Sequence, residues 1–100
     1  MARRRAEYRL SPKARDDIEA AWLYSLNQWG LRQAERYIDE LTEAFALLAR
    51  SPNAGLACDW IRRGYRRHAV IRHVVYYRVT GQGIEIVRVL PDRALASRHL

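Results

Sequence analysis

Hydrophobic positions change their spacing twice along this chain, and each change predicts a different kind of element. Residues 7–10, Glu-Tyr-Arg-Leu, alternate as a short strand does, with Tyr8 and Leu10 on one side and Glu7 and Arg9 on the other. Ser11-Pro12 then marks a helix start: the serine can cap a free backbone N–H, and the proline has its φ preset for the first helical position. Asp16, Asp17 and Glu19 place negative charge near that end, where the helix dipole favours it. Ala14, Ile18, Trp22, Leu26 and Trp29 recur at intervals of three or four and form one apolar stripe, closed by Gly30 as a left-handed terminator. A second helix follows at once, with Ala34, Ile38, Leu41, Phe45 and Leu48 on its stripe, until Ser51-Pro-Asn-Ala-Gly55 stops it. So tight a connection predicts an antiparallel helical hairpin.

Residues 56–64 hold neither period and are expected to form a connecting loop anchored by Trp60 and Ile61. Strands are predicted at 65–70, 73–79 and 84–90, the last two joined by a turn at Thr80-Gly-Gln-Gly83, where glycines supply positive φ angles. Strict alternation puts His73, Val75, Tyr77 and Val79 on one face and Val74, Tyr76 and Arg78 on the other. In the last strand it sets Ile84, Ile86, Arg88 and Leu90 against Glu85, Val87 and Val89. Residues 91–100 read as a polar tail with a few apolar teeth. The order β-α-α-β-β-β is an α+β fold in which two helices cover one face of a mostly antiparallel sheet, and its other face meets water or a partner. One domain accounts for residues 1–100, with residues 1–6 a basic, flexible start.

Composition narrows the function. No apolar run approaches the roughly 20 residues that span a bilayer, and no hydrophobic signal core follows the basic start, so no membrane partner and a cytoplasmic location are expected. Cys58 is the lone cysteine, which excludes an internal disulfide and predicts a plain structural thiol. Net charge is +7, and it is concentrated at the C-terminal end: residues 60–100 carry nine arginines against Glu85 and Asp92. Of the 18 basic residues only Lys13 is lysine, a bias toward the planar, bidentate recognition of carboxylate or phosphate that a GC-rich coding sequence would also produce.

A metal site is not expected, because His68 and His73 are an odd number of residues apart and face opposite ways unless a turn intervenes. No glycine-rich phosphate loop or other cofactor motif is present, and no cofactor is expected. The acidic residues Asp39, Glu40 and Glu43 suit a solvated helix face, and Asp16 and Asp17 are explained by the dipole. Metal-free RNA cleavage is the one chemistry the composition admits. It needs Arg to stabilise a developing phosphate charge and His, Tyr or Glu as acid and base, and His73, Tyr76, Tyr77, Arg78 and Arg88 are of the right types. The charge alone also admits sequence-independent, salt-sensitive binding of nucleic acid.

The ordered set "YRLSPKARDDI", "QWGLRQAERYIDEL", "GYRRHAVIRHVVYYRV", "IEIVRVL" and the ending "RHL" resembles the ParE branch of the RelE/ParE toxin superfamily from Tyr8 to Leu100. That resemblance implies a toxin of a type II toxin–antitoxin pair, neutralised by a ParD-like antitoxin in a hetero-oligomer and touching operator DNA only indirectly, through that antitoxin. It implies inhibition of DNA gyrase by binding, which blocks replication without any catalytic residue in the toxin. The alternative is a RelE-like, ribosome-dependent mRNA endonuclease using His73, Tyr77 and Arg78. RelE-type members typically carry a Lys/Arg cluster and a tyrosine near the C-terminus, whereas here no tyrosine follows Tyr77. The chain departs from the usual ParE pattern at Leu56-Ala57, where a basic residue and proline often stand, at Arg63, often proline, and at Ile71-Arg72, which lacks a common glycine. The gyrase-contact candidates are Arg66, Arg67, Arg72, His73, Arg78, Arg88, Arg93 and Arg98, which can meet acidic protein or gyrase-bound DNA. The antitoxin-contact candidates are Trp22, Trp29, Trp60, Ile61 and Tyr65, anchors for an acidic segment that folds on binding.

Overall fold

Ser11 ends one element and begins the next. In the computed structural model, which describes residues 7–100, strand β1 (Glu7–Leu10) leads through Ser11 into helix α1 (Pro12–Trp29). The Ser11 hydroxyl accepts the Ala14 N–H at 3.0 Å and donates to the Val87 carbonyl at 2.7 Å, so one side chain caps the helix and ties it to a strand 76 residues away. Gly30 alone separates α1 from α2 (Leu31–Arg50), and its φ of +90° is what a side chain would resist. The basic start at residues 1–6 lies outside the described residues.

The remaining elements are β2 (Leu56–Ala57), β3 (Tyr65–Val70), β4 (His73–Thr80), β5 (Gly83–Pro91) and a 3₁₀ turn at Ala96–Arg98. The sheet has five strands in the order β1-β5-β4-β3-β2, with β1 parallel to β5 and every other pair antiparallel. β2 is a correction to the expected loop, since two residues of the 56–64 segment pair with Arg66 and Arg67 of β3. A two-residue strand carries too little sequence for any period to appear. At the β3–β4 turn Ile71 adopts φ 52°, a left-handed conformation in which a β-branched residue is strained and glycine would not be.

The helices bury the larger core. Leu41, Phe45 and Leu48 of α2 lie against Val75 and Tyr77 of β4 and Ile84, Ile86 and Val89 of β5. α1 contributes differently from its predicted stripe: Ala14, Ala21 and Ser25 are its buried residues, Ile18, Trp22 and Leu26 are half-buried, and Trp29 is exposed. Small side chains let α1 approach closely, which pushes its large ones to the flank.

Two features of β5 escape simple alternation. Tyr76 pairs with Arg88 but Tyr77 pairs with Ile86, so Val87 is an extra residue on β5 and forms a bulge. Beyond it the faces exchange. Val89 joins the helix-side core and Leu90 the opposite cluster, the reverse of the predicted assignment. That opposite face is not left open either. Val74, Tyr76 and Leu90 form a second small core with Cys58, covered by Ile61, Tyr65 and the tail residues Ala94, Ala96 and Leu100. The apolar teeth of the tail are therefore its attachment points.

Candidate functional site

Where the end of α1 passes the β3–β4 turn, the layers leave a cleft of about 380 Å³, walled by Ala21, Tyr24 and Trp29 and rimmed by Arg72, His73 and Arg93. Small α1 residues create the space, and the strand ends supply the charge. Trp29 is 45% exposed, edge-on to Tyr24 with ring centroids 5.7 Å apart, and the Arg72 guanidinium carbon lies 5.4 Å from its ring centroid. Below them His73 meets the Tyr37 ring edge-on at 5.3 Å, and its Nδ1 is in a short hydrogen bond with the Tyr37 hydroxyl. Burial lowers the His73 pKa from its ordinary value near 6.5, opposed by the charges of Asp92 and Asp17, which favours the neutral ring. Burial likewise raises the Tyr37 phenol. Asp17 and Asp92 also line the cleft, Asp17 engaged by Arg88, so an apolar cleft with Arg72 and Arg93 at its lip suits an apolar side chain with a carboxylate beside it.

The arginines divide sharply. Arg88 grips Asp17 with two parallel bonds of 2.7 and 2.8 Å and also reaches the His99 carbonyl at 3.2 Å. Asp17 in turn accepts the Val89 N–H at 2.9 Å, which satisfies the β5 edge past the point where β1 ends. Arg66 braces the Gly55 carbonyl at 2.7 Å, and Arg78 pairs with Glu85 at 2.8 Å. With Arg9 on its other oxygen, Glu85 has a pKa held below the usual carboxylate value. Arg72, Arg93 and Arg98 are exposed and Arg67 half-buried, and none is held in an ion pair among the described residues.

Of the residues singled out in the sequence, then, Trp29, Arg72, His73 and Arg93 converge on the cleft, while the others scatter. Trp22 is half-buried on α1, and Ile61 and Tyr65 pack on the tail-side cluster. Trp60 does not anchor the loop as expected: it is 72% exposed. The β3–β4 turn brings His68 and His73 onto one face, with His68 opposite Val75 and Val70 opposite His73, but no group of three metal-binding side chains forms among the described residues. Tyr77 is fully buried, donating to the Pro52 carbonyl at 2.6 Å and accepting the Gly55 N–H at 2.9 Å. A β-carbon on Gly55 would overlap that hydroxyl, so the glycine is needed for close approach. Cys58 is buried and free, its thiol pKa raised by burial, in keeping with an inert thiol.

Sequence reasoning missed Tyr37, Asp17 and Asp92. Tyr37 had a signal, since it falls three residues after Ala34 and four before Leu41 on the apolar stripe. Asp17 had none, because its partners lie about 70 positions away.

Residues 8–95 match the family model described as "ParE toxin of type II toxin-antitoxin system, parDE". The chain belongs to the ParE toxin family. It is 44% identical over 96 residues to Toxin ParE1 from two strains of Mycobacterium tuberculosis, covering 95% of this chain and 98% of that protein. Toxin ParE1 of Caulobacter vibrioides is 43% identical over 93 residues, covering 93% and 96%. In fold the chain is similar to a chain of the solved chromosomal ParDE toxin–antitoxin system from P. aeruginosa, with a TM-score of 0.74, 21% identity and 85% and 94% coverage. The strand, helical hairpin and mixed sheet are thus the ParE architecture, and this member is an α+β toxin of a type II system. No described helix is long and apolar enough to cross a membrane.

Proposed function

We propose that this ParE-family toxin arrests growth by binding DNA gyrase and blocking replication, and that a ParD-like antitoxin holds it inactive in a hetero-oligomer. The observation carrying the binding reading is how the acid–base candidates are used. Tyr77 is sealed in the core, the His73 Nδ1 is taken by Tyr37, and Arg78 and Arg88 are paired with Glu85 and Asp17. His73 and Tyr77 lie four residues apart on β4, roughly 13 Å along the strand, and Arg78 faces the other side of the sheet. A substrate phosphate would find no shared position among them. Of the gyrase-contact candidates, Arg67, Arg72, Arg93 and Arg98 are in no ion pair among the described residues and so are available to an acidic protein surface or to gyrase-bound DNA.

The relatives named ParE and the fold shared with a ParDE system support an antitoxin partner. The cleft beside Trp29 is the candidate seat for that partner: an acidic amphipathic helix would place an apolar side chain against Tyr24 and Trp29 and a carboxylate at Arg72 or Arg93. The test is gyrase supercoiling with purified toxin. Inhibition with accumulation of cleaved DNA, relieved by the antitoxin, is expected. Unchanged supercoiling together with arrest of translation ahead of DNA damage in induced cells would refute the gyrase reading.

A further inference from the structure

Trp60 belongs to neither core. The segment that carries it is nevertheless firmly built. The Cys58 N–H donates to the Tyr65 carbonyl at 2.9 Å, the Ile61 and Arg62 N–H groups donate to the Cys58 carbonyl at 2.9 and 3.2 Å, and the Tyr65 N–H donates to the Arg62 carbonyl at 3.1 Å. The Gly64 N–H is held by Asp59 Oδ1 at 2.7 Å, and Gly64 takes φ +84°. Cys58 and Ile61 sink into the tail-side cluster and pin the loop from below. On this rigid mount the largest side chain faces outward, 72% exposed, against the hydrophobic cost of leaving an indole in water.

Its surroundings in the chain are cationic. Arg62 lies over the Tyr65 ring at 5.8 Å, Arg63 is exposed, and Arg67 is half-buried on β3, with no ion pair for any of the three among the described residues. Asp59, the one carboxylate between residues 58 and 67, is occupied by the Gly64 amide. An aromatic built to seal a protein–protein contact sits among apolar neighbours that exclude water. Trp60 is followed within three positions by two arginines free of ion pairs among the described residues, the pairing that serves a polyanion with planar rings.

We infer that the Trp60 loop is a contact for single-stranded nucleic acid, with the indole stacked on one base and Arg62, Arg63 and Arg67 taking the adjoining phosphates. A duplex hides its base faces, so the stack requires an unpaired strand or an opened end. The inference is independent of which cellular target the toxin arrests.

The test is titration of the full chain with a fluorescein-labelled oligothymidylate of about 12 nucleotides, within the site sizes such surfaces take, following anisotropy and tryptophan emission. Binding with quenched emission is expected. Trp60→Ala should weaken it about tenfold, Trp60→Phe should keep most of the affinity, and Trp22→Phe and Trp29→Phe should leave the quenching in place. Replacing Arg62 and Arg63 together by Gln should flatten the slope of log affinity against log salt by about 1.4. Circular dichroism and the unfolding midpoint verify that each variant folds. Equal affinity of Trp60→Ala and the parent chain overturns the proposal, since attraction would then be general charge. So does equal binding and quenching by the matching duplex, or a glutamate-rich peptide that binds as tightly and loses affinity on Trp60→Ala, which would make the loop a protein contact.

Discussion

The two faces of the sheet are covered by different means, and the contrast explains how so small a chain can be both stable and adhesive. On one side α1 and α2 bury thirteen residues in one cluster, on the other a loop and a nine-residue tail bury four. The first face is closed by two long elements whose packing is cooperative. The second is closed by a hydrogen-bonded loop and a short tail, and the tail, held by a few apolar contacts, is expected to open without unfolding the rest. The functional candidates follow that division, because the cleft borders the helix layer, whereas Trp60, Arg67 and Arg98 belong to the thinly covered side. Stability is concentrated on the helix side, and the cleft lies at the edge of that layer.

Loss of packing on the helix side should have the largest effect. Phe45→Ala removes a nearly fully buried ring that also contacts Tyr8 at 5.4 Å and should cost about 3–5 kcal/mol in urea unfolding. A loss below about 1 kcal/mol would mean that the two faces contribute alike. Next comes the clamp that joins α1 to β5. Asp17→Ala leaves Arg88 without its pair and the Val89 N–H without its acceptor, an expected loss of about 2–4 kcal/mol. Adding Arg88→Met should recover part of it, since no unpaired charge then remains. No recovery would show that the Val89 bond, not the ion pair, is what matters.

The tail side gives a smaller global effect with a local signature. Leu100→Ala should lower stability by only about 1–2 kcal/mol yet markedly speed the reaction of Cys58, fully buried beneath the tail, with a thiol reagent. Labelling that rises only in step with global unfolding would contradict independent opening of this face. The smallest effect is that of pH at the cleft. His73 is flanked by Tyr37 from α2, Asp17 from α1, Asp92 after β5 and Arg72 beside it. Its folded pKa is depressed by burial below its unfolded value near 6.5. Its neutral form therefore contributes stability that is whole above pH 6.5 and is lost as pH falls toward the folded pKa, where the unfolded chain binds the proton first. His73→Phe should flatten the stability profile over that window, and an unchanged profile would refute the assignment.

Most of the fold was legible in the chain because its signals were local. The Ser11 cap, the glycine at position 30 and the 3.6-residue stripe of α2 act between near neighbours in sequence, and each did what its spacing predicts. The candidate site was legible only by residue type. Arginines on strands 65–70, 73–79 and 84–90 and in the turn between the first two announce a basic surface, but residue type alone does not separate Arg72, left on an exposed tryptophan, from Arg88, consumed by Asp17.

The sequence by itself determined the helical hairpin, the order of the longer elements and the site of the charge, since periodicity, capping and composition need no knowledge of the rest of the molecule, and its ordered motifs carried the resemblance to the family. Only the tertiary structure decided that Val87 bulges and exchanges the faces of β5, that Leu56–Ala57 extends the sheet, that the tail covers the second face, and which arginines stay free. Each of those outcomes depends on groups that are distant in the chain and adjacent in space, and such pairings are fixed by shape and by the need to satisfy buried polar atoms, which no local pattern encodes.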